Sequence, residues 1–154
     1  MRVFLDTTYL MPVCGVKIKE IQNTHLTRLF EQRRTMINQV SLLELWGKGK
    51  RLLRDDPESW PRFLIGYRSI LESQTIQKQA IIEPETLPWV DKLSREGLRD
   101  LLDCFITASA IYHSDVLVTE AQDITKIVEI LKEKGEPEVN LQALPLRDFL
   151  QQYA

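Results

Sequence analysis

The hydrophobic positions along the chain switch repeatedly between two periods. Short apolar runs of strand length alternate with stretches in which apolar residues recur every three to four positions, as on one face of a helix. Val3 to Leu5 predicts a first strand. From Lys19 to Arg34, Ile21, Leu26, Leu29 and Phe30 fall at helical spacing, and Thr35 to Val40 then reads as a second short strand. Ser41 begins a helix that continues into a basic, glycine-containing stretch, and Asp56-Pro57 starts another through Ser73 with proline near its first turn. The run from Gln79 to Pro84 predicts a third strand. Helices over Glu85 to Arg95 and Asp100 to His113 follow, with Gly97 a stop between them, and Asp115 to Thr119 is the strongest strand pattern in the chain. A helix from Asp123 to Lys134 ended by Gly135, an edge strand within Val139 to Leu144 and a short helix from Leu146 to Tyr153 complete the pattern.

Alternating strands and helices predict βαβ units, so the expected fold is α/β: a three-layer α/β/α sandwich on a mainly parallel sheet of four or five strands. The strand ending at Asp6 should be central, because the strongest apolar runs, Val3 to Leu5 and Val116 to Val118, need cover on both faces. A chain of 154 residues, 44% hydrophobic, suits one domain with a sizeable core, and no internal repeat or linker divides it.

Charge narrows the function classes. Lys and Arg number 20 against 22 Asp and Glu, a formal net charge of -2, so attraction to a polyanion requires a local basic patch. Cys14 and Cys104 lie far apart in apolar surroundings without metal-ligand spacing, and read as buried thiols in a reducing compartment. No apolar run approaches the ~18 residues of a membrane span, and the N-terminus does not read as a secretory signal, so a cytoplasmic protein is expected.

In an open parallel sheet the ligand crevice lies outside the carboxyl ends of the strands, and acids placed there are candidates for chemistry. Asp6 follows the first strand, Glu44 the second, Asp103 begins the helix leading to the fourth, and Glu120 and Asp123 follow the fourth. Each also has a structural reading. Asp6 before Thr7 and Thr8 suits an Asx turn. Ser41 and Glu44 have the spacing of a capping box, Asp123 that of a helix N-cap, and Asp100 and Asp103 would both complement a helix dipole. Asp103, however, shares a helical face with Ile106, Thr107 and Ala110, which should pack on the sheet, and a carboxylate there calls for a cation.

Taken jointly, the stretches "VFLDTTYL", "VSLLELWGK" and "LLDCFITASAIYHSDVLVT" resemble the PIN-domain family of metal-dependent ribonucleases, of the VapC-like toxin type, over nearly the whole chain. The third is the most specific, with Ile106, Ala108 and Ala110 at plus three, five and seven from Asp103 and an apolar strand ending in Thr119. In the fourth element the family usually has Asp or Asn two residues after that Thr, whereas this chain has Ala121, flanked by Glu120 and Asp123.

The resemblance implies hydrolysis of phosphodiester bonds in single-stranded RNA with Mg²⁺ or Mn²⁺. The expected catalytic set is Asp6, Glu44, Asp103 and Asp123, with Glu120 as an alternative ligand and minor hydroxyl contacts from Thr7 or Thr119. Carboxylate oxygens suit such hard cations, which neutralise charge at the scissile phosphate. Asp6, Glu44 and Asp103 should therefore converge, and Asp123 should complete the set from its capping position. Lys48, Lys50, Arg51 and Arg54, just after Glu44, are the expected nucleic-acid contacts, with Arg33 and Arg34 extending the patch. The toxin type also implies a small antitoxin partner and a homodimer. His25 and His113 read as structural, and Trp46, Trp60 and Trp89 as packing residues. A haloacid-dehalogenase-like hydrolase would need a second Asp where Thr8 stands. A PIN-like scaffold that binds RNA or protein without catalysis is the alternative.

Overall fold

The computed structural model describes residues 1–135 and 137–153. Five strands, β1 (Arg2–Leu5), β2 (Arg34–Asn38), β3 (Ile76–Gln79), β4 (Val116–Val118) and β5 (Gln142–Leu144), form one all-parallel sheet in the order β3-β2-β1-β4-β5. The strand that delivers Asp6 is central, as the apolar pattern requires. Its residues alternate between two cores. Val3 and Leu5 join Ile37, Val116 and Val118 on one face, covered by α1 (Asn23–Gln32), α3 (Ser59–Glu72) and α7 (Leu146–Tyr153) through Leu29, Phe63, Ile70 and Phe149. Phe4, Met36 and Leu117 point to the other face, beneath α4 (Leu87–Arg95), α5 (Leu101–His113) and α6 (Gln122–Lys134), which contribute Leu93, Ile106, Val128 and Leu131. The result is a PIN-like three-layer sandwich. Cys14 and Cys104 are buried free thiols.

Several boundaries differ from the pattern reading by a few residues, three of them with a clear cause. The third strand is the polar segment Ile76–Gln79, not the run from Gln79 to Pro84. As an edge strand it pairs only with β2, so it needs no continuous apolar run; Ile81 beyond it packs instead into the second core. The first helix starts at Asn23 rather than Lys19, because the chain leaves β1 through two 3-10 turns, Thr7–Leu10 and Pro12–Cys14, closed by Gly15 at φ 84°. The last strand is only Gln142–Leu144, with Val139 and Leu141 buried before it rather than within it. Gly97 and Gly135 both take positive φ just past helices, as expected of stops.

Helix α3 packs directly on the Pro12–Cys14 turn, and Gly66 makes that approach possible. A Cβ at this position would meet the Val13 carbonyl oxygen and, at 2.6 Å, the Cys14 Cα, both of them backbone atoms. Gly66→Ala should therefore destabilise the protein by about 3 kcal/mol despite the higher helix propensity of alanine. Urea unfolding would measure this, and an unchanged midpoint would show that the turn and helix can separate freely.

Candidate active site

The sheet order creates a switch point. After β1 the chain turns first to β2 and β3, and later returns to place β4 on the other side of β1, so the connections leaving β1 and β4 diverge and open a crevice at their carboxyl ends. The Asp6 amide donates to the Val118 carbonyl at 3.1 Å, and the Thr119 hydroxyl donates to Asp6 Oδ2 at 2.7 Å. Asp6 Oδ1 accepts the Thr7 N–H at 2.7 Å, capping the 3-10 turn. The bond goes to the next residue's amide rather than to the one two residues on, so Asp6 caps the turn without forming the expected Asx turn, and the cap uses one oxygen. The other is fixed from the neighbouring strand. Asp6 is 7% exposed, and burial pushes its carboxyl above the usual range; the Thr119 and Thr7 hydrogen bonds pull it down, while the charge of Glu44 pushes it up.

Glu44 comes from α2 (Val40–Leu53), which begins two residues earlier than the capping-box reading requires. Ser41 lies inside the helix and makes no cap, so Glu44 has no Ser41 amide to capture. Asn38 takes that place: its Oδ1 accepts the Val40 N–H at 2.8 Å. Glu44 instead stands 3.9 Å from Lys48, one turn along the helix. Asp103 sits in the first turn of α5, whose N-cap is Asp100 accepting the Asp103 N–H at 3.1 Å. The dipole reading therefore suffices for Asp100. Asp103 is pushed up to about 7, first by burial and then by the charges of Asp6, Asp100 and Glu44, with Lys48 opposing them. Three segments far apart in sequence thus bring Asp6, Glu44 and Asp103 close enough to act on one another.

The fourth acid does not follow the expectation. Asp123 is not the N-cap of α6; Ala121 holds that position without a side-chain cap, and Asp123 lies exposed in the first turn. Glu120 is also exposed and accepts a 2.7 Å hydrogen bond from the Tyr9 hydroxyl, which itself accepts the Leu146 N–H. Pattern reading missed Tyr9; a tyrosine within an apolar run needs a partner for its hydroxyl, and that signal was available. Asn38 was missed because its partners lie in other elements.

The donor chemistry of Asp6, Glu44 and Asp103 fits a hard divalent cation: all three offer carboxylate oxygens, and the raised Asp103 carboxyl records negative charge that Lys48 offsets only in part. As they stand, no three His, Cys, Asp or Glu side chains among the described residues are gathered tightly enough to enclose an ion, so the acids share a crevice without the close convergence expected.

Of the basic residues, Lys48 reaches the acids, whereas Lys50, Arg51 and Arg54 line a neighbouring shallow depression with Gly47 and Asp55. Arg33 and Arg34 do not extend this patch. They sit at the amino end of β2, the opposite edge of the sheet, where Arg33 donates to the Tyr153 carbonyl and Arg34 to Gln77. His113 pairs with Glu83 at 2.6 Å, and Trp46 packs edge-on against Trp60 and Tyr67, in keeping with structural roles. No helix among the described residues is long and apolar enough to cross a membrane.

No protein-family model matches the chain, and no curated protein matches it in sequence. Solved structures do match in fold. One is VapBC2 from Rickettsia felis bound to a DNA fragment from its promoter, with TM-score 0.60 and 16% identity over 93% of this chain and 98% of that one. Another is a toxin-antitoxin complex from Klebsiella pneumoniae, with TM-score 0.53 and 17% identity over 79% of this chain and 88% of that one. At these identities the likeness establishes architecture, and the PIN-like sandwich of this chain is an architecture found in toxin-antitoxin complexes.

Proposed function

We propose that this protein is a Mg²⁺- or Mn²⁺-dependent endoribonuclease acting on single-stranded RNA, the toxin of a toxin-antitoxin pair. The observation that carries this reading is the meeting of Asp6, Glu44 and Asp103 at the β1/β4 switch point, with Asp103 pushed up to about 7. Asp6 and Asp103 would hold the principal ion, with Asp123 or Glu120 completing the set. A bound divalent cation there supplies charge neutralisation at the scissile phosphate and a more acidic water. Asp6 contributes a carboxylate whose direction is set by Thr119 and Thr7. Asp103, pushed up to about 7 first by burial, would hold the ion as its carboxylate. Glu44, held only loosely by Lys48, either joins the ion-binding set or orients the attacking water.

The single domain, the cytoplasmic setting, a small antitoxin partner and a homodimer belong to the same proposal; the fold shared with toxin-antitoxin complexes supports the partner. Ala121 favours a second reading, a PIN-like scaffold that binds without cutting, because the α6 N-cap carries no carboxylate. Incubating the protein with a labelled single-stranded RNA and Mn²⁺, with and without chelator, separates the two. Chelator-sensitive cleavage supports the nuclease; RNA binding without cleavage favours the scaffold.

Substrate recognition is expected from Lys50, Arg51 and Arg54, which are exposed and line a depression further along α2 than Glu44. Replacing all three with Gln should weaken single-stranded RNA binding and flatten its salt dependence by about 0.7 in log-log slope for each phosphate no longer neutralised. Fluorescence anisotropy across a salt series reads both, and an unchanged slope would remove these residues from the interface.

A further inference from the structure

Among the described residues, three buried side-chain hydroxyls make no hydrogen bond: Thr7 Oγ1, Ser41 Oγ and Thr107 Oγ1. All three residues are fully buried. A buried hydroxyl without a partner has given up its water for nothing in return, and each such group in a native structure calls for an explanation. Their positions supply one. Thr7 directly follows Asp6; Ser41 precedes Glu44 by one turn of α2; Thr107 follows Asp103 by one turn of α5. The elements that carry them meet, since α2 packs on both the Thr7–Leu10 turn and α5. Each of the three acids thus has, within one turn along its own segment, one buried O–H without a hydrogen bond.

Resting on the metal-dependent reading above, we infer that Thr7, Ser41 and Thr107 are positioning residues: a hydroxyl floor whose donors serve the cation-bound arrangement of Asp6, Glu44 and Asp103. With a cation bound, these hydroxyls would hold the carboxylates in place, directly or through a water. Groups that orient metal-binding side chains commonly change metal affinity by about 10- to 100-fold when removed.

The test is a Mn²⁺ titration by calorimetry, alongside melts of the metal-free proteins, for Thr7→Val, Ser41→Ala and Thr107→Val. Each variant should melt at or above the wild-type temperature without metal, because an unpaired buried hydroxyl is gone, and should bind Mn²⁺ at least tenfold more weakly. Thr107→Ser, which keeps the hydroxyl, should retain wild-type affinity. Asp103→Asn serves as the reference for loss of the site itself. Wild-type-like Mn²⁺ affinity in the three hydroxyl variants, with Asp103→Asn deficient, overturns the hydroxyl floor and leaves the nuclease reading standing. A wild-type protein that binds no Mn²⁺ overturns both. Should Thr107→Val fail to fold, Ser41→Ala, in the first turn of a different helix, decides the matter by the same readout.

Discussion

Asp103→Asn is expected to lower Mn²⁺-dependent cleavage of single-stranded RNA by about 10³-fold, the scale set by removing one preorganised electrostatic group from a reacting centre. The metal-free protein should nevertheless be as stable as wild type or more so. The reason is the sign of the pKa shift. Asp103 is pushed from its ordinary 3.8 up to about 7 by burial and by Asp6, Asp100 and Glu44. A folded-state carboxyl raised in this way favours the folded protein while it is protonated. That contribution is full below about 3.8, declines as pH rises, and is gone above about 7. Removing the charge should leave stability unchanged near pH 4 and raise it at pH 8. The gain is about 1 to 2 kcal/mol, discounted for the solvent that reaches this half-buried side chain.

Metal reverses the order. Bound to the folded state alone, Mn²⁺ at a hundredfold excess over Kd adds about 2.7 kcal/mol to the wild type, and the variant should lose most of that. Ion affinity of the wild type should also rise with pH through about 7, as Asp103 loses its proton. If Asp103 only complemented the α5 dipole, neutralising it would cost about 0.3 to 1 kcal/mol without metal and leave the metal response intact. Thermal melts of both proteins at pH 4 and pH 8, with and without Mn²⁺, distinguish these outcomes.

Asn38→Ala should have the largest effect on stability. This side chain is fully buried at the carboxyl end of β2, and no charge marks its importance. Its Oδ1 accepts the Val40 N–H at 2.8 Å, while Nδ2 lies 2.6 Å from Ser109 Oγ and 3.3 Å from the carbonyls of both Ala80 and Ile81. One amide thus starts α2, holds α5 against the sheet and ends β3. Alanine would leave several of these groups buried and unpaired, at a cost of about 3 to 4 kcal/mol and a fall of about 10 °C in Tm. Because α2 carries Glu44 and α5 carries Asp103, RNA cleavage should fall as well, even under conditions where the variant is folded. Asn38→Asp keeps the acceptor for Val40 but turns a carboxylate toward two carbonyls, and should be no better tolerated. A variant that melts like wild type would show that the three elements hold together without this amide.

The pattern of apolar residues was enough to place most helices, the central strand and the β4 strand, because these depend on short-range periodicity and on which runs need cover on both faces. It also located Asp6, Glu44 and Asp103 at one edge of the sheet, since in βαβ units the residues that follow each strand and those that begin the helix returning to the next strand lie there. It misplaced β3 because an edge strand is held by backbone pairing to one neighbour and needs little apolar character. The choice between a cap and a site residue at Glu44 rested on whether α2 begins at Val40 or Leu42, and Asn38 decides that while bonded to Ser109, 71 residues away.

By itself, then, the sequence determined the layered α/β architecture and the three segments that carry acids, because local spacing controls which side chains share a face. Tertiary structure alone decided how those acids are treated. Asp6 is oriented by Thr119 from 113 residues along the chain, Glu44 is drawn to Lys48, Asp103 is pushed up by neighbours on other elements, and Glu120 is taken by Tyr9. Arg33 and Arg34 were separated from the site because β2 carries them to the opposite edge. Hydrogen bonds and charges act over a few ångströms in space, without regard to sequence separation, and only the closed sheet brings these groups within that range.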